Sequence, residues 1–313
     1  MSMGVITGGG GASAKSKILC KSYLLTDEGK TVQVKDRSGA VVAYGTLQDL
    51  EILFEVKSTD KYTVVMLDSN NDPEYETEVI LNFGTFAEVK LGWTKTTFKG
   101  VQQILNAHKE TDLLEVGQQM DEIQLDYGNI PMRWSIGAID HEEGHSVFFV
   151  PDWCLPTTRA MNASNTNVGG WNVTVLRAWL NNEFLNDYMP DDIAALIKTR
   201  DFQTSQGNQS TALQTASDKI WLPREWEIFG ATTYAAGTEH TAGDAEQFPI
   251  FATTANRIKT AGKAGAACIW WESSPYVSNA TAFCIVNAGG SADYRGASNA
   301  DGVLPCFQLK SDE

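Results

Sequence analysis

The chain has 313 residues, 42% hydrophobic and 20% charged, a balance that fits a folded protein and excludes disorder over most of its length. Its formal net charge of −15 excludes nucleic acid and anionic membrane as partners, because both select basic surfaces. Nine Trp beside 27 Gly point to aromatic-anchored loops and tight turns rather than a helix bundle.

Residues 1–16 are a Gly/Ser/Ala leader containing the run Gly8 to Gly11, expected as a flexible or assembly arm. The opening MSMGVITGGGG has no charged stretch followed by an apolar core, so no signal peptide is expected. No run reaches the length of a membrane span, and no membrane insertion is expected. Residues 17–92 alternate with period two through KILCKSYLLT, TVQVKD, AVVAYGTL, EILFEVKS, YTVVMLD and TEVILNFGTFAEVKLG. Turn-rich pieces (DEGK, DRSG, DSNNDPE) separate them, which predicts six or seven short strands in a small all-β sandwich, Ig-like or transthyretin-like. A spacer or assembly role is expected for it.

After Trp93, the expected domain junction, the texture changes. TFKGVQQILN, residues 97–106, predicts a short helix with Phe98, Val101, Ile104 and Leu105 on its apolar face. PMRWSIGAID and SVFFVPD read as two strands joined by HEEG. Leu176, Trp179, Leu180, Phe184 and Tyr188 recur at helical spacing, with Arg177, Asn181 and Glu183 expected to face outward. DDIAALIKTR predicts a second short helix with acids in its first turn and bases in its last. Residues 203–217 read as polar loop, and KIWLPREWEIFG returns to apolar character. Trp153, Trp171 and Trp226 are expected as loop anchors.

The segment HEEGH, His141 to His145, matches H-E-x-x-H in letters, but a zinc site of that kind needs a helix to put both imidazoles on one face. Gly144 and the β-like flanks predict a hairpin turn instead, so no metal is expected there. Neither a nucleophile elbow, a phosphate loop nor a dinucleotide fingerprint is present, and an enzyme is not expected. Pairs such as Asp191/Asp192, Glu142/Glu143 and Glu225/Glu227 read as surface or helix N-terminal charge in so acidic a chain. The five cysteines (Cys20, Cys154, Cys268, Cys284, Cys306) show no CxxC and read as free thiols, with a Cys284–Cys306 pair left open.

Four ordered segments, GGWNVTVLRAWLNNEF, KIWLPREWEIFG, IWWESSPY and GVLPCFQL, resemble an uncharacterised domain common in Firmicutes genomes and their gut phages. That domain typically carries GGW…LR.WLN, a WWLRSP-like segment and a terminal GVRPAF. The resemblance covers about residues 92–309 and implies a C-type-lectin-like fold, related to formylglycine-generating-enzyme-like domains and to phage proteins diversified by retroelements. Two departures stand out: Glu272 within WWESSP where an arginine is often found, and Leu304-Pro305-Cys306 in place of Arg-Pro-Ala. The calcium-dependent sugar triplets of animal lectins are missing, so neither calcium nor another cofactor is expected.

The implied fold class is thus α+β, with an arm at 1–16, the all-β sandwich at 17–92 and a C-type-lectin-like domain at 93–313. On such a fold Trp271, Pro275, Phe283, Cys284, Val286, Val303 and Phe307 belong to the core, with Trp270 undecided. Exposed ligand-binding candidates are Tyr276, Ser278, Asn279, Asn287, Ser291, Asp293, Tyr294, Arg295, Ser298, Asn299 and Asp301, with Arg295 beside Tyr294 as a hot spot. The expected function is a phage virion or tail-associated adhesin meeting a host-surface protein or glycan, made in the host cytoplasm. It would be a homo-oligomer, such as a trimer, contacting other virion proteins through its arm and sandwich. The alternative is a structural capsid or tail decoration protein; a formylglycine-generating-type oxidase is the remaining, enzymatic reading.

Overall fold

Alternation in the first ninety residues has a direct structural consequence: in strands such as Ser16–Ser22 and Thr31–Lys35 every second side chain is buried. A computed structural model describes residues 15–22, 27–57, 60–82, 84–91, 95–142, 144–240 and 247–312. The chain divides into two units, Met1–Thr94 and Lys95–Glu313. The expected arm around Gly8 to Gly11, the junction residue Trp93 and Glu143 lie outside the described residues.

The first unit contains β1 (Ser16–Ser22), β2 (Thr31–Lys35), β3 (Val41–Thr46), β4 (Glu51–Val56), β5 (Asp60–Leu67), β6 (Pro73–Leu81) and β7 (Phe86–Leu91). They form two sheets, in the orders β4-β1-β7 and β3-β2-β5-β6. All pairings are antiparallel except β1 with β7. One core joins the sheets, with Ile18, Cys20, Phe54, Val89 and Leu91 meeting Val32, Val34, Tyr62, Val64 and Met66. In β1 the buried set is Ser16, Ile18, Cys20 and Ser22, the period-two face read from sequence.

The second unit opens with α1 (Phe98–Asn106), α2 (Glu110–Leu113), β8 (Ile123–Leu125), β9 (Ile130–Met132), β10 (Trp134–Ile139), β11 (Ser146–Pro151) and β12 (Arg159–Ala160). Thr97 caps α1 by accepting the Gly100 N–H at 3.1 Å. Its apolar face seats Phe98 against Trp134, Phe149 and Phe307, with ring centroids 6.1, 5.1 and 5.4 Å away. Each such ring contributes roughly 2 kcal/mol by burial alone.

Next come α3 (Val175–Trp179), a π-helical stretch Leu180–Tyr188, α4 (Asp191–Ala194), β13 (Arg200–Ser205), β14 (Leu213–Asp218) and α5 (Glu225–Phe229). The predicted stripe Leu176, Trp179, Leu180, Phe184 and Tyr188 is buried; Leu185 and Met189 join it, an i+4/i+5 pattern that suits the wider turn. Glu183 faces solvent, but Arg177 and Asn181 do not simply do so. Arg177 donates to Asp218 at 2.7 Å. Asn181 accepts the N–H of Lys219 and Ile220 while donating to the Ile220 carbonyl, so it satisfies backbone just beyond β14.

Two further expectations are corrected. The helix at DDIAALIKTR is only the short α4, and Arg200 opens a strand instead of closing a helix. Residues 203–217 are largely a hairpin, with Arg200 paired to Asp218 and Ser205 to Leu213. Its inward positions include Arg200, Thr204 and Asp218, so period two is present but carried by polar side chains that apolar patterning cannot see.

The unit closes with α6 (Thr254–Arg257), β15 (Lys259–Thr260), β16 (Ala267–Cys268), β17 (Trp270–Pro275), β18 (Ala282–Val286), β19 (Ala292–Gly296), β20 (Ala300–Asp301) and β21 (Phe307–Lys310). Two three-stranded antiparallel sheets, β10-β11-β21 and β17-β18-β19, frame it, together with two-stranded ribbons β8-β9, β12-β20, β13-β14 and β15-β16. The architecture is α+β. Among the described residues no helix is long and apolar enough to cross a membrane.

Candidate functional site

The polar C-terminal tract is carried on β17, β18 and β19, whose anchors are buried as expected. Trp271, Phe283, Cys284, Val286, Val303 and Phe307 lie in the core, and Trp270 joins them at 0% exposure. Each indole N–H is satisfied: Trp270 donates to the Arg257 carbonyl at 3.0 Å and Trp271 to that of Arg159 at 2.8 Å.

The candidate binding residues separate into groups. Ser278, Ser291, Tyr294, Ser298 and Asn299 are exposed, while Tyr276, Asn279, Asn287, Asp293 and Arg295 are half-buried. Asp301 is buried, contrary to expectation, because β20 pairs with β12 and sets it opposite Arg159. Burial pushes its carboxyl up, while Arg295, 3.4 Å away, pulls it down. Several of the others close turns. The Asn279 side chain accepts the N–H and hydroxyl of Thr281, and Asn287 accepts the N–H of Gly289 and Ser291. Ser298 donates through both N–H and hydroxyl to Asn165.

The tyrosines come together across the sequence. Tyr276 and Tyr294 stack with centroids 4.2 Å apart, and Tyr234 meets them at 5.6 and 5.3 Å. Tyr294 is 43% exposed, so the cluster reaches the surface. Tyr234 was not among the predicted residues; it lies in ATTYAAGT, where nothing in sequence separates it from loop. The Val277 N–H donates to the Tyr234 carbonyl at 2.9 Å, tying the two segments together. Arg295, in contrast, does not share a face with Tyr294. Tyr294 stands opposite Cys284 and Arg295 opposite Phe283, and successive residues of a strand point to opposite sides. The two do not form one hot spot.

Acidic side chains lie beneath this cluster. Glu225 and Glu227 open α5, as helix N-terminal acids should, but both are fully buried rather than solvated. The Glu225 carboxylate accepts the N–H groups of Thr233, Tyr234 and Ala235 at 2.7–3.1 Å, fixing the loop that carries Tyr234. Glu239 accepts the Ser274 hydroxyl at 2.5 Å and the Ser205 N–H at 2.7 Å. Arg200 and Arg224 converge on Glu227, and Arg200 also reaches Glu142 at the β10–β11 turn. Glu142 is therefore half-buried and ion-paired instead of free surface charge.

Burial pushes the Glu239 carboxyl up to about 7, against the pull of Ser274, the Ser205 N–H and Arg224. A carboxyl raised on folding holds its proton more tightly in the native state. Its contribution is full below the ordinary value near 4.5 and is lost as pH rises through about 7. Urea titrations over that window should show wild type losing on the order of 3 kcal/mol more than Glu239→Gln. Identical slopes would remove the assignment.

The described residues of HEEGH lie between the antiparallel strands β10 and β11, and its histidines have different neighbours. His141 packs on Phe248 and Phe148, while His145 stacks on His108 at 3.6 Å and meets Glu110 through Nδ1. Of the three tryptophan anchors, Trp153 and Trp171 are buried, and Trp226 is half-buried and stacks on His240 at 3.4 Å. All five cysteines are free thiols. A mixed-charge groove of about 670 Å³ is lined in part by Arg133, Asp152, Lys259 and Lys263. Its charges are engaged locally, Arg133 with Asp152 at 2.5 Å and Lys259 with the Pro151 carbonyl at 2.8 Å.

No curated protein matches the chain. Among solved structures it is similar to the Bacillus anthracis TIE protein, at 12% identity and a TM-score of 0.22, covering 25% of this chain and 16% of that one. The pilus adhesin RrgA from Streptococcus pneumoniae is similar at 10% identity and a TM-score of 0.16, covering 66% of this chain and 33% of that one. The chain thus spans a third or less of either structure's length. Residues 146–311, more than half of the sequence and all of the chain from β11 to just past β21, match the family described as a domain of unknown function, DUF6273, and the chain belongs to that family.

Proposed function

We propose that this protein is a phage virion or tail-associated adhesin, a binding module rather than an enzyme. Its all-β unit spaces a C-type-lectin-like unit from the particle, and a face centred on Tyr234, Tyr276 and Tyr294 meets a protein or glycan on the host surface. The virion setting rests on the motif resemblance. The binding face rests on one observation: three tyrosines from separate segments pack within 4.2–5.6 Å of one another and emerge at the surface. Stacked phenol rings give large, rigid contact area at low entropic cost, and phenol hydroxyls can read a polar ligand. Ser278, Ser298 and Asn299 supply exposed polar groups on the neighbouring loops.

The test is binding to host cells and a glycan array by wild type, Tyr294→Ala and Arg295→Ala. Tyr294→Ala should weaken binding about tenfold or more, and Arg295→Ala should do less because Arg295 lies on the other side of β19. Tyr294 is half exposed, so its truncation leaves the core intact. Equal binding by Tyr294→Ala and wild type would remove the face.

A further inference from the structure

Glu225 at the start of α5, Glu272 in β17 and Cys284 in β18 are each 0% exposed, and their carboxylate and thiol donor atoms lie within 4.8 Å of one another. Regular pairing of β17 with β18 shifts between Trp271 and Pro275, and Glu272 falls in that irregular stretch. Neither carboxylate oxygen of Glu272 meets a hydrogen-bond partner among the described residues. Its electrostatic neighbours are Glu225 and Glu239, both of its own sign. An anion buried without hydrogen bonds or counter-charge costs several kcal/mol, so such a cluster calls for a cation or for protons.

The donor set decides which cation. Calcium and magnesium take oxygen ligands, whereas a thiolate beside carboxylates suits zinc. Glu225 is already oriented by the three N–H groups of residues 233–235, the kind of outer support that ligating carboxylates receive. We infer that Glu225, Glu272 and Cys284 form a structural zinc site beneath the tyrosine face. Bound as one thiolate and two carboxylates, the three donors would carry −3, which zinc reduces to a net −1, with the fourth position open to water. Binding releases the protons held by Cys284 and Glu272, so occupancy rises with pH.

The experiment uses the full chain, loaded with zinc sulfate, dialysed and assayed by elemental analysis. About one zinc per chain is expected, together with a higher melting temperature than the chelator-treated protein shows. Cobalt substitution should produce a thiolate-to-metal charge-transfer band. Cys284→Ser should abolish that band, Glu272→Gln should cut stoichiometry to below about a tenth, and His145→Ala should leave both unchanged. Folded wild type that retains no zinc and does not shift in melting temperature overturns the site, whatever the variants do. Zinc retained in full by both Cys284→Ser and Glu272→Gln overturns it too, by placing the metal elsewhere.

Discussion

Arg200→Met should lower the unfolding free energy by about 4 kcal/mol, read from urea midpoints at constant m-value. Arg200 is 1% exposed, and its Nε and Nη2 donate to Glu142 at 2.9 and 2.6 Å while Nη2 also reaches Glu227 at 2.5 Å. The guanidinium lies among Phe148, Phe202, Trp221 and Phe248, 4.4–5.6 Å from their ring centres. Met fills much of the volume but strands Glu227, 0% exposed, with Arg224 as its one remaining cation among the described residues. The loss therefore measures a buried carboxylate left with Arg224 alone, rather than lost packing. Arg200→Lys should fall between the two, since a single ammonium cannot bridge both carboxylates with the same fork.

The same variant has a pH signature. Burial works against the Glu227 charge, but Arg200 and Arg224 outweigh it and hold the carboxyl down at about 2. A depressed carboxylate contributes stability above its ordinary value near 4.5, and that contribution is lost as pH falls toward about 2. Wild type should thus lose stability on acidification more steeply than Arg200→Met. Equal acid slopes would show that the guanidinium is a packing element only.

Those two arginine–carboxylate partners illustrate what sequence reading reaches and what it misses. Strands of the first unit were legible where apolar and polar residues alternate, as in β1 and β2. The α1 and α3 stripes were legible for the same reason at helical period, and the antiparallel pairing of β10 with β11 was legible from Gly144 and its flanks. Arg200 was misread because a base following Asp191 and Asp192 completes a helix-dipole pattern, yet the strand it opens buries Arg200, Thr204 and Ser205 beside a single apolar residue, Phe202. Glu225, Glu227 and Glu272 carry no sign of burial in one dimension; only the convergence of α5, β13, β17 and β18 puts them together. Asp301 looked like loop because its partner strand, β12, lies far earlier in the chain. At the tyrosine face, Tyr276 and Tyr294 could be named from composition, whereas Tyr234 is brought to the cluster by tertiary contacts, its N–H held by Glu225 and its carbonyl receiving the Val277 N–H.

Asn167→Ala should cost about 4 kcal/mol and loosen the loop that presents Tyr276. Asn167 is 0% exposed, and its Nδ2 lies 3.2, 2.8 and 2.7 Å from the carbonyls of Tyr276, Asn279 and Ala282. An amide carries two N–H bonds, so two of the three carbonyls are served at a time. Its Oδ1 accepts the Asn208 N–H at 2.8 Å, and its main-chain N–H donates to Ala280 at 2.8 Å. The neighbouring Gly207 has φ +66°, and a Cβ there would stand 1.7 Å from the Asn167 carbonyl oxygen, so glycine is required for the approach. Truncation leaves two or three buried groups unpaired at about 1–3 kcal/mol each, partly relieved by water. Asn167→Asp is the sharper probe, because it turns acceptor oxygens toward acceptor carbonyls. It should be less stable than Asn167→Ala at neutral pH and recover on acidification, when the carboxyl regains a donor and its folded-state pKa is the raised one. Amide hydrogen exchange across residues 276–282 should quicken in both variants, and binding through the tyrosine face should weaken with it. Unchanged exchange in that loop would show that β17 and β18 hold it without Asn167, and the coupling between clasp and binding face would be gone.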